Sequence, residues 1–286
     1  AYISRMRAGK AVGFDEFHAE FLKDPPDGFL KLLLHWINLL LEGRTVIDEH
    51  WLLGQIKFLF KGKEPASYLK HWRPICLLKL MYRLYALVLN DRLKEVVERY
   101  NLLEGSQEGF RAGKGTDRQV QALSWIYDEA RRTGSRLYVV FADFVSAFDS
   151  VDHRALMMVL RKMGIPDVDL IESLYRASPF QVSTAFGDTA RVSVTRGCRQ
   201  GDILSPLIFD IFVNVLLRLF NESGVGTTCS AGEKVNNKAF ADDTALLAST
   251  AGGAQDLLNI LSTFCDWSGM EINLSKTVIT AYDFGT

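Results

Sequence analysis

Aspartates occur in this sequence at positions where carboxylates are expensive. Asp143 closes a run of β-forming residues, Leu137-Tyr138-Val139-Val140-Phe141-Ala142, and Asp242-Asp243 follow Ala239-Phe240-Ala241. A charged group at the end of a buried strand is costly unless it is paired or holds a cation. Three such groups meeting at adjacent strand ends would make an oxygen-rich cage for two Mg²⁺ ions, because a short, hard anion suits that cation. Two ions about 4 Å apart clamp the attacking and leaving oxygens of a phosphoryl displacement. By themselves these acidic sites fit a nuclease or a phosphatase equally well, and each also fits an ordinary turn. Asp149, just before Ser150-Val151-Asp152, reads as the cap of the next helix rather than as a ligand.

The chain that must position these groups has 286 residues, 48% hydrophobic and 23% charged, which excludes a disordered or low-complexity protein. Phe29–Leu41 is its longest apolar stretch, and it carries Lys31, His35 and Asn38, too short and too polar to span a bilayer. No secretory signal is apparent, and the first residue is not Met, which suggests a piece of something longer. Cys76, Cys198, Cys229 and Cys265 form no CxxC pair, so reduced, buried thiols in an intracellular protein are expected. Charge is uneven: residues 1–140 hold 22 Lys and Arg against 17 Asp and Glu, and residues 141–286 hold 11 against 17. A basic first half suits a polyanion and an acidic second half suits cations.

Hydrophobic spacing predicts helix with breaks over residues 16–42, then helices over Met81–Tyr100, Asp117–Thr133, Val151–Met163, Val168–Ala177, Ser205–Phe220 and Ala254–Gly269. Strands are expected at Gln55–Phe60, Trp72–Leu77, Arg136–Asp143, around Phe240–Leu247 and at Thr277–Tyr282. Phe180–Phe186 and Thr189–Thr195 read as a hairpin around Gly187-Asp188. Helices and hairpins without strict alternation predict an α+β fold.

Four stretches occur in order: Phe141-Ala142-Asp143-Phe144-Val145-Ser146-Ala147-Phe148-Asp149, Arg199-Gln200-Gly201-Asp202-Ile203-Leu204-Ser205-Pro206, Phe240-Ala241-Asp242-Asp243, and Gly269-Met270-Glu271-Ile272-Asn273-Leu274-Ser275-Lys276-Thr277. They resemble palm motifs A, B, C and D of the reverse transcriptases, most closely those of non-LTR (LINE-type) retrotransposons. Trp72-Arg73-Pro74-Ile75-Cys76-Leu77-Leu78 resembles the fingers motif RPISLL, and Gln107-Glu108-Gly109-Phe110-Arg111 resembles QxGFR. Gly9-Lys10-Ala11-Val12-Gly13-Phe14-Asp15 is a looser echo of KAPGPDG. Group II intron maturases fit the Phe240-Ala241 and Gly269–Thr277 contexts less well.

The resemblance implies a right-hand polymerase fold: an N-terminal helical extension (1–56), fingers (57–135) and a palm with an antiparallel sheet (136–286), with the thumb absent. It implies RNA-directed DNA synthesis from dNTPs on an RNA template and DNA primer, as part of a retrotransposon polyprotein whose other domains lie elsewhere. Asp143, Asp242 and Asp243 would hold two Mg²⁺ ions, with Mn²⁺ as a substitute, and Lys276 would act as general acid toward pyrophosphate. Phe148 would be the steric gate against a ribose 2′-hydroxyl. Gln200 and Gly201 would contact nucleotide and template, Lys61 and Arg73 the triphosphate, and Arg111 a template phosphate. Leu59-Phe60-Lys61 replaces the usual Ile-Pro-Lys, and the opening PGPDG is eroded. Two rivals remain at this point. A catalytically inactive relative binding RNA has no reason to keep three desolvated carboxylates, and a two-metal nuclease needs neither the aromatic gate nor the Gln200-Gly201 turn.

Overall fold

A computed structural model describes residues 2–9, 11–176, 179–229 and 232–285. Lys10 and Ala177, both part of stretches read above, lie outside the described residues. The main elements are α1 (Phe29–Leu41), β1 (Gly54–Phe60), β2 (Trp72–Leu77), α2 (Leu80–Arg99), α3 (Thr116–Thr133), β3 (Leu137–Ala142), α4 (His153–Lys162), α5 (Val168–Arg176), β4 (Pro179–Thr184), α6 (Ser205–Glu222), β5 (Asn237–Phe240), β6 (Asp243–Ala248), α7 (Ala251–Ser268) and β7 (Val278–Tyr282). Helices and mostly antiparallel strands mix as the α+β expectation requires. The chain divides into two compact units, residues 1–96 with 160–205 and residues 97–159 with 206–286.

In the first unit β1 and β2 pair antiparallel from Gln55 opposite Leu77 to Phe60 opposite Trp72, and β4 adds in parallel to β1. Leu33 and Ile37 of α1 pack with Leu80, Leu84 and Leu87 of α2, together with Met6, Ala19 and Leu22. Asp15 accepts the backbone N–H of Leu80 at 2.8 Å, so the eroded opening motif caps α2 from a distance. The helix expected from residue 16 shrinks to a single 3₁₀ turn, Ala19–Leu22, because Phe17 and Phe21 find no buried surface. A hairpin forms here, but its turn is Ala185-Phe186 rather than Gly187-Asp188, which pair with Thr184 and Ser183, and its return arm is broken. Thr189 uses its backbone N–H and its hydroxyl to bond both sides of Val182, leaving only two-residue stretches to pair with β4.

The second unit is built on a sheet in the order β7-β3-β6-β5, antiparallel throughout. Ile208, Phe209, Ile211, Phe212, Val213, Leu216, Leu217 and Phe220 of α6 are all fully buried. The remaining side of α6 is a polar stripe, Asp210, Asn214, Arg218 and Asn221, of which the first two are buried. Ile126 and Ala130 of α3 cover Leu137, Val139 and Leu247 of the sheet. Asp152, not Asp149, caps α4: its carboxylate accepts from the N–H groups of Arg154 and Ala155, and Asp149 lies inside the preceding helical turn. α7 begins three residues before the expected Ala254 because the Thr250 hydroxyl accepts from Gly253 N–H, a cap that offsets the cost of Gly252-Gly253. Among the described residues no cysteine is in a disulfide, and all four cysteines are buried.

Candidate active site

The acidic residues are set by strand register in the second unit. Ala142 of β3 lies opposite Thr244 of β6, so Asp143 leaves β3 where β6 begins with Asp243. Asp243 in turn pairs with Phe240, which makes Ala241-Asp242 a two-residue hairpin turn. Ala241 takes φ of +57°, unusual for a side chain larger than glycine. Burial raises the Asp242 carboxyl above the ordinary aspartate range; its own backbone amide opposes this, and the charges of Asp243 and Asp143 push it higher.

The loop after α7 closes on Asp143. Asn273 donates its backbone N–H to the Asp143 carbonyl at 2.8 Å and its side-chain amide to Asp143 Oδ2 at 2.9 Å. Lys276 Nζ donates to the same oxygen at 2.9 Å. Among the described residues, no three His, Cys, Asp or Glu side chains are gathered closely enough to hold a metal ion as they stand. The Asn273 amide and the Lys276 ammonium both use Oδ2 of Asp143, and Asp243 is exposed. In charge and donor type the residues do fit a divalent cation, since hard carboxylates share one strand end and their mutual repulsion is what a cation relieves.

Phe148 stacks on Phe209 of α6, centroids 4.2 Å apart and planes 13° from parallel, and meets Phe110 edge-on at 6.0 Å. Arg111 is not turned toward solvent as a template contact requires. With 9% of its side chain exposed, it donates to the carbonyls of Glu104 and Gln107 and reaches Glu98. Its five-donor fork is used to brace a loop.

In the first unit, Lys61 donates its backbone N–H to His71 and Leu59 lies opposite Arg73. With a two-residue side-chain period, Lys61 and Arg73 fall on one face of the β1–β2 hairpin. Lys61 Nζ is held by the Lys70 carbonyl at 3.0 Å, and Arg73 is exposed. The Gln200 carbonyl accepts from Cys76 N–H at 2.7 Å, which seats the Gln200-Gly201 turn on β2. Gly201 has φ of +109°, and a Cβ there would stand 2.7 Å from the Cys76 carbonyl oxygen, so no other residue fits without strain. Flanking the turn, Asp202 accepts from the Tyr82 hydroxyl at 2.7 Å and the Arg199 guanidinium lies over the Tyr82 ring.

Gln107 and Gly109 belong to the QxGFR-like stretch, in which only Arg111 is expected to act. Gln107 is fully buried and its amide bonds the Ala241 backbone. Between Ser106 and Glu108 nothing in the local sequence marks it apart from the QxGFR-like stretch itself.

A family model described as reverse transcriptase (RNA-dependent DNA polymerase) matches residues 61–284. A Pol polyprotein of the retrotransposable element R2 from Nasonia vitripennis is 32% identical over 211 residues, covering 73% of this chain and 20% of that protein. A probable RNA-directed DNA polymerase from transposon BS of Drosophila melanogaster is 25% identical over 291 residues, covering 99% of this chain and 32% of its own length. The chain therefore spans a fifth to a third of these relatives. Apo telomerase from Candida tropicalis, truncated from its C-terminal domain, superposes with a TM-score of 0.61 at 15% identity, over 88% of this chain and 55% of that one. This likeness places the chain in the polymerase fold. No described helix is long and apolar enough to cross a membrane.

Proposed function

Because this chain belongs to the reverse transcriptase (RNA-dependent DNA polymerase) family, we propose that it extends a DNA primer on an RNA template, as the polymerase segment of a retrotransposon polyprotein. The primer 3′-oxygen attacks the α-phosphorus of a dNTP, and the bond to the β-phosphate breaks to release pyrophosphate. Asp143, Asp242 and Asp243 would hold Mg²⁺. When bound, the cations activate the hydroxyl and offset the charge of the leaving group. Lys276, on a loop bonded to Asp143, gives a proton to the departing pyrophosphate. Phe148 presents a ring to the sugar, and a 2′-hydroxyl collides with it. Lys61 and Arg73 hold the triphosphate, and Gln200-Gly201 lies against nucleotide and template. In this reading residues 57–135 serve as fingers and 136–286 as palm, and the thumb and other polyprotein domains are partners.

The observation that carries the reading is the β3–β6 register bringing Asp143 and the Asp242-Asp243 turn to one strand end within a reverse transcriptase sequence. Primer extension on an RNA template tests it, with dNTPs against rNTPs, Mg²⁺ against Mn²⁺, and Asp242→Ala as control. DNA synthesis that the substitution abolishes is expected. Extension undiminished in Asp242→Ala would overturn the assignment.

A further inference from the structure

The loop carrying Gln107 is bonded along the whole approach to the acidic turn. Ala239 of β5 donates to the Ser106 carbonyl at 3.0 Å, and Glu108 N–H donates back to the Ala239 carbonyl at 3.0 Å. Gln119 of α3 donates to both the Ser106 and Ala239 carbonyls at 3.0 Å. At the turn itself, Gln107 Oε1 accepts from Ala241 N–H and from Gly109 N–H, each at 2.9 Å, and Nε2 donates to the Ala241 carbonyl at 3.2 Å. All three bonds agree on one orientation of the amide, with oxygen accepting and nitrogen donating. A Cβ on Gly109 would stand 2.3 Å from Ala241 N, so the two backbones are as close as glycine allows.

We propose that Gln107 is a positioning residue: its amide fixes the left-handed Ala241 and thereby sets where Asp242 presents its carboxylate. A non-glycine residue with positive φ persists only where its surroundings impose it. Here one buried side chain bonds both the N–H and the C=O of that residue. Asp242 lies in the two-residue turn beyond the last ladder pair, Asp243 with Phe240, so the strand pairing itself does not hold it. Gly109 serves the same end by letting the loop approach.

The inference rests on the polymerase reading for its kinetic arm and stands apart from it in its structural arm. Gln107→Leu keeps the volume and removes every bond, Gln107→Asn withdraws the amide by one methylene, and Gln107→Glu keeps the acceptor. Leu257→Ala, which opens a cavity under α7 and removes none of the Gln107 bonds, controls for general loss of stability. Single-nucleotide extension should show kcat lowered by about a hundredfold in Gln107→Leu or Gln107→Asn, with the KM for dNTP within about threefold of wild type. Gln107→Glu, which keeps the acceptor but loses the donor to the Ala241 carbonyl, should recover only a small part of the loss, and Leu257→Ala should show little. Amide hydrogen exchange across residues 239–243 should quicken by at least about tenfold in Gln107→Leu and Gln107→Asn and remain slow in Leu257→Ala. If folded Gln107→Leu or Gln107→Asn keeps wild-type exchange at Ala241, or keeps wild-type kcat in an active enzyme, the positioning role is wrong. If wild type itself fails to extend a primer, the polymerase reading fails, and exchange alone still decides the role of Gln107.

Discussion

Asp210 sits on α6 with no exposed surface, and neither carboxylate oxygen has a hydrogen-bond partner among the described residues. Burial pushes its carboxyl up to about 8, with the positive charge of Arg111 opposing the rise. The folded protein therefore keeps this proton at neutral pH, while the unfolded chain releases it near pH 4. Between those values the native state binds the extra proton, so stability falls as pH rises through the window and levels off above about 8. The fall is about 1.4 kcal/mol per pH unit, and pH 7 lies about three units above the unfolded pKa, giving a cost of about 4 kcal/mol. Asp210→Asn abolishes it, because the unfolded variant gains nothing by ionising. Urea unfolding at pH 5, 6, 7 and 8 should show the variant increasingly more stable than wild type, the gap widening by about 3 kcal/mol between pH 5 and 7. A gap that does not change with pH would refute the buried neutral carboxyl, as would a variant less stable than wild type at pH 7.

Trimming the ring in Phe148→Val should raise rNTP incorporation relative to dNTP by at least about tenfold in competitive primer extension, and Phe110→Leu, which removes only the edge contact, should raise it less. Gly201→Ala forces a Cβ toward the Cys76 carbonyl at positive φ; a stability loss of about 1–3 kcal/mol is expected on urea melts, with the KM for nucleotide rising more than kcat falls. Asp152→Ala loses the α4 cap and should cost about 1 kcal/mol by the same melts, with kcat/KM unchanged.

Much of the site was legible because its logic is local. A run of β-formers ending at Asp143, and another ending at Asp242-Asp243, specify two strand ends, and antiparallel pairing does the rest. Gly201 declared itself as a turn, and its positive φ bears this out. What sequence could not deliver was long-range bonding between side chain and backbone. Gln107 reaches Ala241 across 134 positions and Asp15 reaches Leu80 across 65, and no periodicity encodes such pairs. Arg111 went astray for the same reason: a basic residue in a loop reads as exposed until nearby carbonyls are seen to claim its donors. Asp149 and Asp152 both suit a cap, and the first backbone N–H groups of α4 choose between them. The Asp143 carboxylate acts on Asp242 through its charge and at the same time takes the Lys276 ammonium on one of its oxygens, a contact between positions 133 apart.

The buried thiols divide evenly, Cys76 and Cys198 in one unit and Cys229 and Cys265 in the other. Burial also lifts Cys76 and Cys265 to about 11, so thiolate is scarce even where a reagent arrives. Alkylation can then proceed only through transient opening of the surrounding structure. The chain thus contains a sulfur clock in each half, and mass spectrometry of the labelled peptides would time how often either half breathes without any added dye or tag.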